Sequence, residues 1–497
     1  MAVRASDSQP EAREGQAGPL RVAERFVVPR KRCNSRGGKG PQFQVNVLRA
    51  DSQEIGVSLQ PPEKVGKLQE ALHAKAKAAP SYRFYLLYDK LYRPDVLLWA
   101  YARCRLNRGA AGVDEQTFAE IERGGLKEWL GELAEELRKR TYQPQAVRRV
   151  WIPKPDGSKR PLGIPTVKDR VVQTALLVVL EPIFEADLQP EQYAYRTDRG
   201  AWDALKHVRA LLNDGYTEVV DADLSGYFDS IPHSELMNSV ARRVSDRHVL
   251  HLLKMWLEAP VEETDERGQK QRTYHNRDTG RGTPQGAPLS PLLANLYMRR
   301  FVRGWKELGH EQRLGARIVN YADDFVICCR GTAAQAMQAM RQMMSRLRLT
   351  VNERKTRICR VPGDSFRFLG YLIGRCYSPR TGQSYLGLRP ARQSVQRLCR
   401  ALSEKTSRRM LLVEARDIVR SLNLRLAGWG NYFGLGQVSP AYRAVDQHVR
   451  YRLRQWLRWK HKVPAGSAKL RFPDRYLYGL GLLKLEGRPR GLPWARG

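Results

Sequence analysis

The chain has 497 residues, 42% of them hydrophobic, and its 86 Lys and Arg against 51 Asp and Glu give a formal charge of +35. A chain of this size can bury several cores, so we expect more than one domain. No apolar run reaches membrane-spanning length, no signal peptide is apparent and the cysteines lack metal-ligand spacing, so membrane, secreted and zinc-finger proteins are not expected. The charge instead indicates a polyanionic partner for a cytoplasmic protein with reduced thiols.

The first 200 residues are predicted to form two segments. Residues 1–60 are rich in Gly, Ser, Gln, Pro and charged residues without sustained periodicity, so we expect them to be poorly ordered. Residues 61–200 show helical patterns and are expected to be folded. The predicted helices lie near Val65–Ala78, over residues 126–140 and over residues 167–190.

A hairpin is predicted between the second and third of these helices, within residues 151–165. Pro155-Asp156-Gly157 is a typical turn sequence. Lys154 and Arg160 flank this turn, so the hairpin would present two cations near its tip. A tip that is merely solvated is the alternative interpretation.

Residues 201–385 alternate predicted helices with strands that carry acids. In the stretch 218–229 a short apolar run ends in acids, and strand alternation places Asp221 and Asp223 on one face. Asp221 and Asp229 are interpreted as ordering the turn that follows. Asp223 is interpreted as a metal ligand.

Two adjacent acids about a hundred residues further on define the strongest candidate site. Asp323 and Asp324 follow Tyr321-Ala322 and lie between the apolar stretches 317–320 and 325–329, which predicts a strand, a tight turn and a second strand. Two like charges pressed together in an apolar setting repel each other, and a divalent cation offsets that repulsion. Oxygen ligands of this kind suit Mg²⁺, which also binds substrate phosphates in polymerase sites.

The C-terminal part of the chain is strongly basic, with 23 Lys and Arg against 6 Asp and Glu in residues 391–497. Residues 386–460 are predicted to be all-helical and residues 461–497 to be a short basic tail. Basic and aromatic residues alternate in the run 450–460, which suits RNA, although Trp456 lies on an apolar helical stripe and is interpreted as core. The cations assigned to RNA binding are Arg452, Arg454, Arg458 and Lys460.

Seven blocks in succession resemble the group II intron-encoded reverse transcriptase and maturase family, over residues 80–480. The resemblance implies an α+β protein with a right-hand polymerase fold, made of fingers and palm, followed by an all-helical thumb or maturase domain. The blocks are residues 151–165 for the fingers, Asp223 with Phe228, residues 282–291 and residues 321–324 for the palm, residues 349–356 and 368–371 for the late palm motifs, and residues 426–433 for the thumb.

The resemblance also implies the chemistry of the acidic site. Asp223, Asp323 and Asp324 would be the catalytic acids and would hold two Mg²⁺, with the backbone carbonyl of Leu224 as an additional ligand. Such a site activates a primer 3′-hydroxyl and stabilises the departing pyrophosphate. We therefore expect an RNA-directed DNA polymerase.

Further roles follow from the same resemblance. Lys154 and Arg160 would clamp the triphosphate, and Lys355 would approach it. Phe228 would lie under the incoming sugar and exclude a 2′-hydroxyl, with ordinary packing beside its neighbour as the alternative. Gln285 would contact the sugar or base of the nucleotide. The expected primer grip is formed by Phe368, Leu369, Gly370 and Tyr371.

The chain departs from the family pattern in two places. Many members read Ser-Tyr-Gly-Phe-Arg-Pro where this chain reads Gln192-Tyr193-Ala194-Tyr195-Arg196-Thr197, and Thr197 in place of Pro should make that loop less rigid. Members with a DNA endonuclease carry paired Cys motifs near the C terminus, whereas no Cys follows Cys399 here. We therefore expect a member without the endonuclease, which would prime on DNA ends made elsewhere.

The expected function is to bind group II intron RNA, assist its splicing and copy it into DNA during intron mobility. The expected partners are that RNA, an RNA template with a DNA primer, dNTPs and target DNA, with no membrane. We expect the protein to be in the bacterial cytoplasm and to associate with the nucleoid when it acts on DNA. The sequence does not decide whether it forms a homodimer. The alternatives are a domesticated reverse transcriptase serving repair or phage defence, and a non-catalytic RNA-binding splicing factor.

Overall fold

The computed structural model describes residues 60–153, 159–265, 267–378 and 380–487. The segment expected to be poorly ordered lies outside the described residues except for Gln60, and so does Lys154. Within the described ranges, no helix is both long and apolar enough to cross a membrane. Helices and three sheets together confirm the expected α+β class.

The described residues form the following elements. The helices are α1 (Glu63–Ala78), α2 (Pro94–Leu106), α3 (Phe118–Gly124), α4 (Leu126–Lys139), α5 (Val167–Glu185), α6 (Ala201–Asn213), α7 (Tyr227–Ser230), α8 (His233–Ala241), α9 (Arg247–Glu258), α10 (His275–Thr279), α11 (Ser290–Glu307), α12 (His310–Arg313), α13 (Ala333–Arg346), α14 (Arg392–Lys405), α15 (Ala415–Tyr432), α16 (Ser439–Lys460), α17 (Ala468–Arg471) and α18 (Asp474–Gly479). The strands are β1 (Val147–Pro153), β2 (Lys159–Ile164), β3 (Glu218–Ala222), β4 (Val261–Thr264), β5 (Lys270–Thr273), β6 (Ala316–Tyr321), β7 (Asp324–Cys329), β8 (Arg357–Arg360), β9 (Phe366–Phe368), β10 (Tyr371–Tyr377) and β11 (Ser384–Pro390). Short 3₁₀ turns occur at Tyr88–Lys90 and Arg408–Met410.

The helix α5 lies at the centre of the N-terminal part. Thr166 caps it by accepting a hydrogen bond from the backbone N–H of Asp169, and its mostly apolar sequence is buried on nearly all sides. The helix α1 packs against it, where the Gln69 amide donates to the carbonyl of Val178 at 3.1 Å. The helices predicted in residues 61–200 are confirmed as α1, α4 and α5, although α5 ends five residues before the predicted end.

The predicted hairpin forms as β1 and β2 and belongs to a four-stranded sheet of order β2-β1-β4-β5. The strands β1 and β4 are parallel, whereas the other neighbours are antiparallel. Because β4 comes after the first acid-bearing strand in the chain, this sheet joins the fingers to the palm segment.

The palm sheet carries both acid-bearing segments and has the order β6-β7-β3-β8, with every pair antiparallel. Val219 and Cys328 on one face pack against α6, and Val220 and Ile327 on the other pack among residues of α11 and α13. Burial of both faces explains why β7 reads as a continuous apolar run after its first residue.

The C-terminal helices α14, α15, α16 and α18 share one core, in which Leu402, Leu422 and Trp456 are fully buried. The interpretation of Trp456 as core is therefore confirmed. Residues 461–487 are not the short basic tail that we expected, because Phe472, Leu477 and Leu485 enter the same core. These apolar residues are separated by Gly and Pro and show no helical period, so the pattern gave no sign of their burial.

Candidate active site

The turn between β6 and β7 presents the adjacent acids. Ala322 has a left-handed backbone (φ 58°), which costs energy for a residue with a Cβ. The buried Asn320 side chain donates to the Ala322 carbonyl at 2.8 Å and holds the turn in this conformation. Asp323 lies at the tip of the turn, and Asp324 begins β7 opposite Tyr321.

Asp223 emerges at the same edge of the sheet as the hairpin acids. In the antiparallel pairing of β3 with β7, Ala222 faces Phe325, so the next residue of β3 comes level with Asp324. The Asn352 amide donates to the Asp223 carboxylate at 3.0 Å, and Lys355 Nζ lies 3.2 Å from it. Tertiary pairing thus brings Asp223 to the same edge of the sheet as Asp323 and Asp324, which follow it about a hundred residues later in the sequence.

The carbonyl of Leu224 is directed away from its partner strand. Leu224 pairs with Val351, while the flanking hydrogen bonds run from Ser225 N–H to the Thr350 carbonyl and from Asn352 N–H to the Asp223 carbonyl. In an antiparallel ladder this pattern leaves the carbonyl of the central residue outside the ladder. Its oxygen is therefore free of that pairing, as the expected ligand role requires.

The electrostatics of the site favour a bound cation. Burial raises the pKa of Asp323, and Asp223 adds to the increase. Burial, Asp323 and Asp223 together raise the pKa of Asp324 to about 7. Among the described residues no three His, Cys, Asp or Glu side chains already form a metal cage. Mg²⁺ commonly uses only one or two carboxylates plus substrate phosphates, so an oxygen-only set of mutually repelling acids fits this ion.

The raised pKa of Asp324 predicts a stability that depends on pH. Because the folded-state pKa lies above the usual 3.8, the folded protein binds the proton more tightly, and this stabilisation is lost as the pH rises through 7. Asp324→Asn should therefore raise the unfolding temperature of the metal-free protein at about pH 8, on the order of 1 °C, and less near pH 5. Thermal unfolding in EDTA at both pH values measures this, and a gain equal at both would contradict the assignment.

Arg160 is the described cation of the fingers hairpin. It lies exposed on β2, paired with Ile152 of β1, at the end of the hairpin next to the turn. Its charge lowers the pKa of Asp323, so the guanidinium lies within electrostatic range of that acid. The role of Arg160 in a triphosphate clamp stays a prediction.

The loop that carries Gln285 joins the palm to the fingers. The carbonyl of Gln285 accepts a hydrogen bond from Gly163 N–H of β2 at 2.6 Å, and its amide donates to Asp229 at 3.2 Å. Gly286 follows with φ 111°, where a Cβ would meet Leu162 Cδ1 at 2.9 Å and would lie closer still to the Gly163 carbonyl. Only glycine allows the two backbones to approach in this way.

Phe228 and Gln285 are brought onto neighbouring segments. The Thr283 N–H donates to the Phe228 carbonyl at 2.8 Å, which ties the loop to the short helix α7. Tyr227 is fully buried and donates to the Ala294 carbonyl at 2.7 Å, whereas Phe228 is half-buried with its ring 5.7 Å from that of Tyr227. Tyr227 is therefore the packing residue of the pair, and the exposed part of the Phe228 ring is available to a ligand.

The predicted primer grip is a hairpin turn enclosed by the helical domain. Leu369 and Gly370 form a two-residue turn between β9 and β10, both with positive φ. The Leu369 carbonyl accepts from the Tyr432 hydroxyl at 2.9 Å, and the Tyr371 hydroxyl donates to the Tyr432 carbonyl at 2.7 Å. Trp202 of α6 donates to that same carbonyl at 2.7 Å. Phe368 of β9 is buried against this cluster.

Asn352, Trp202 and Tyr432 have positioning roles that the sequence did not assign. Asn352 and Tyr432 lie inside the family-like blocks 349–356 and 426–433, so the resemblance covered these residues but did not assign them a role. Trp202 lies outside the family-like blocks.

The cations assigned to RNA are mostly engaged within the protein. Arg452 donates to the Ser403 and Thr406 carbonyls, and Arg454 to the Phe472 carbonyl and to Asp474. Lys460 donates to the Leu411 and Val413 carbonyls, and Arg458 to Gln455. Arg452, Arg454 and Lys460 thus use donors to hold the helical domain together, and their role in RNA binding stays a prediction. A helical repeat cannot show whether a cation faces solvent or a neighbouring carbonyl.

Two family models match the chain. The model for reverse transcriptase (RNA-dependent DNA polymerase) matches residues 152–373, and the model for the group II intron maturase-specific domain matches residues 395–472. The first range contains the three acids and the second contains α15 and α16.

Curated relatives agree with these matches. Protein YkfC of Escherichia coli is 33% identical over 354 residues, which cover 63% of this chain and 88% of YkfC. The group II intron-encoded protein LtrA of Lactococcus lactis is 27% identical over 477 residues, 79% of this chain and 77% of LtrA. A putative COX1/OXI3 intron 1 protein of Saccharomyces cerevisiae is 27% identical over 329 residues, 56% of this chain and 38% of that protein.

Proposed function

This chain belongs to the group II intron reverse transcriptase and maturase family, and from that membership we propose how its site copies RNA into DNA. The protein is an RNA-directed DNA polymerase that binds group II intron RNA and assists its splicing. During intron mobility it copies that RNA, using an RNA template, a DNA primer and dNTPs. The sheet register that brings Asp223 level with Asp324, beside Asp323, carries the proposal for the reaction.

The acids are proposed to hold the metal ions, and the cations of the fingers are proposed to bind the triphosphate. Asp223, Asp323 and Asp324, with the Leu224 carbonyl, would hold two Mg²⁺, which when bound activate the primer 3′-hydroxyl and neutralise charge on the triphosphate. Arg160 would bind the triphosphate, and its electrostatic effect on the pKa of Asp323 supports a position near the acids. Lys154 would contribute a second positive charge to the same group.

Lys355 would change partners during the reaction. Without substrate its ammonium lies 3.2 Å from the Asp223 carboxylate, although the side chain is largely exposed. Cation binding at Asp223 would displace the ammonium by like-charge repulsion. The released side chain could then reach the triphosphate, in agreement with the role implied by the family pattern.

Gln285 would contact the incoming nucleotide from a loop that is fixed at both ends. Its backbone carbonyl accepts a hydrogen bond from β2, and its side-chain amide donates one to Asp229. A nucleotide that bound the side chain would therefore replace only the hydrogen bond to Asp229. The primer strand would lie along the Leu369-Gly370 turn, whose backbone Tyr432 holds in place.

RNA would bind the helical domain through arginines that remain exposed. These lie on α14 and α15 and are Arg392, Arg397, Arg400, Arg416, Arg420 and Arg425. Guanidinium groups contact phosphates without reading sequence, so affinity would fall steeply with salt. Target DNA would follow the same basic surface.

Primer extension tests the proposed function. The purified protein is mixed with an RNA template, an annealed DNA primer, dNTPs and Mg²⁺, and cDNA is measured with and without EDTA. We expect cDNA that depends on Mg²⁺ and on the RNA template. A folded protein that binds group II intron RNA but makes no cDNA would favour the splicing-factor alternative.

Phe228 is proposed to select the deoxy sugar. Phe228→Ala should raise incorporation of ribonucleotides relative to dNTPs by on the order of tenfold to a hundredfold, because the ring that would clash with a 2′-hydroxyl is removed. Single-nucleotide extension with matched dNTP and rNTP measures the ratio. Tyr227→Phe is the matched control, since it removes the buried hydrogen bond to Ala294 and should lower stability without changing the ratio. An unchanged ratio in Phe228→Ala would leave packing as the role of the ring.

A further inference from the structure

Tyr195 is an exposed aromatic residue in a segment that is otherwise buried. Its side chain is 49% exposed, while Tyr193, Ala194 and Arg196 around it are at most 8% exposed. Tyr195 also has a left-handed backbone (φ 55°), which a residue with a large side chain adopts only when its surroundings impose it. The segment therefore buries its other side chains and directs this one outward.

The backbone on both sides of Tyr195 is held firmly. The Asn295 amide donates to the Ala194 carbonyl at 2.7 Å. Arg196 forms an ion pair with Glu185 and donates to the Gln189 and Gln192 carbonyls, at 2.8 Å each. These buried bonds place the ring rigidly, as a residue that positions a ligand requires.

Pairing with the acid-bearing hairpin places the segment of Tyr195 beside that hairpin. Gln192 forms a parallel bridge with Asn320, and Tyr193 N–H donates to the Asn320 carbonyl at 3.0 Å. Tyr195 lies three residues after Gln192, and Asp323 lies three residues after Asn320, so the bridge holds the two short segments that carry them next to each other.

The charges around Tyr195 are those of the nucleotide site. The side chain is half exposed, but partial burial of its hydroxyl raises the pKa of Tyr195 to about 12; Asp323 and Asp324 add to the increase, and Arg160 opposes it. The hydroxyl therefore lies within electrostatic range of both the acids and the fingers cation. It stays protonated at neutral pH and can donate a hydrogen bond to an anion such as a phosphate.

We propose that Tyr195 is a substrate-binding residue for the incoming dNTP, whose triphosphate accepts a hydrogen bond from the Tyr195 hydroxyl close to Arg160. The inference rests on the proposed function, because it needs a nucleotide in this cleft. The Tyr195 hydroxyl would act as a hydrogen-bond donor in addition to Arg160, and the ring would form one wall of the triphosphate pocket. The alternative is that Tyr195 contacts the template strand, and the experiment distinguishes the two roles.

The test compares Tyr195→Phe with the wild type in steady-state extension on an RNA template. Loss of one hydrogen bond to a charged group should raise the KM for dNTP by about tenfold and leave kcat nearly unchanged. Inhibition by pyrophosphate should weaken by a similar factor, because pyrophosphate shares the phosphate contact. Affinity for the template–primer duplex should not change.

Tyr193→Phe is the matched control. The Tyr193 hydroxyl lies 2.8 Å from His207 Nδ1, so this variant also removes one tyrosine hydroxyl, but one whose hydrogen-bond partner is a histidine within the protein. It should alter thermal stability and leave the KM for dNTP and the pyrophosphate inhibition at wild-type values.

A second measurement avoids the need for turnover. A primer ended by a dideoxynucleotide lets the enzyme form a stable complex with template and dNTP, and the apparent Kd for dNTP is read from gel shift. Tyr195→Phe should weaken this Kd by about tenfold. An unchanged Kd and KM would overturn the role of Tyr195, and weaker duplex binding with unchanged dNTP binding would place the residue on the template instead. A wild type that forms this complex but makes no cDNA would overturn the proposed function alone.

Discussion

Asp323→Asn is expected to reduce cDNA synthesis by about a thousandfold or more, since several kcal/mol of transition-state stabilisation depend on a metal-binding carboxylate. The substitution keeps the shape of the side chain and removes its charge. Burial and the neighbouring Asp223 raise the pKa of Asp323, so the neutral amide should not destabilise the metal-free fold. Primer extension measures the loss, and filter binding of an RNA–DNA duplex and thermal unfolding test whether the fold is intact.

Asp221→Asn is the control for this experiment. Asp221 lies two residues before Asp223 on β3, and Arg357 Nε is 3.6 Å from its carboxylate. An acid that serves an ion pair should be replaceable with an effect of only several-fold on extension. Equal losses of extension in both variants would indicate that the reaction depends on the overall negative charge at this edge of the sheet and not on Asp323 in particular. Loss of duplex binding in Asp323→Asn would instead indicate a folding role.

Gly286→Ala is expected to reduce extension by about a hundredfold while leaving the protein folded. The new methyl group would collide with the Gly163 carbonyl and with Leu162, and φ of 111° is unfavourable for alanine. The hydrogen bond between Gly163 and Gln285 would break, so the fingers strand and the nucleotide loop would separate. A shift of about 1 Å in such a site is enough for a loss of this size.

Gly215→Ala separates the clash from backbone strain. Gly215 has φ 88°, and nothing lies within 4 Å of a Cβ built there. This variant should lose stability through strain alone and retain extension per folded molecule. If thermal unfolding of Gly286→Ala accounted for all of its loss of extension, contact between the fingers strand and the Gln285 loop would not be needed for the reaction.

Local patterns predicted the parts of the site that single segments build. The apolar stretches on both sides of Asp323 and Asp324 predicted a hairpin, and β6 and β7 confirm it. The family-like block around Arg160, with its turn sequence, predicted a second hairpin, which forms as β1 and β2. In each case a strand pairs with its neighbour along the chain, so strand-forming stretches on both sides of a turn contain the needed information.

Contacts between distant segments lay beyond such patterns. The strands β4 and β5 extend the fingers sheet, although they follow α9 in the chain. The tail after α16 enters the helical core. The arginines of α16 were predicted to face RNA, and Arg454 donates to the Phe472 carbonyl. Each of these arrangements depends on contacts between segments that are distant in the chain, and local sequence periodicity does not predict such contacts.

The sequence by itself determined the class of fold, the family and the acids, because the acids lie on strands and turns whose formation is local. Only the tertiary structure decided that Asp223 comes level with Asp324, that Lys355 lies against Asp223 and that Gln192, three residues before Tyr195, pairs with Asn320 of the acid-bearing hairpin. These arrangements join residues that are far apart in the chain. Their energies arise from packing, hydrogen bonding and charge that exist only once the sheets and helices have come together.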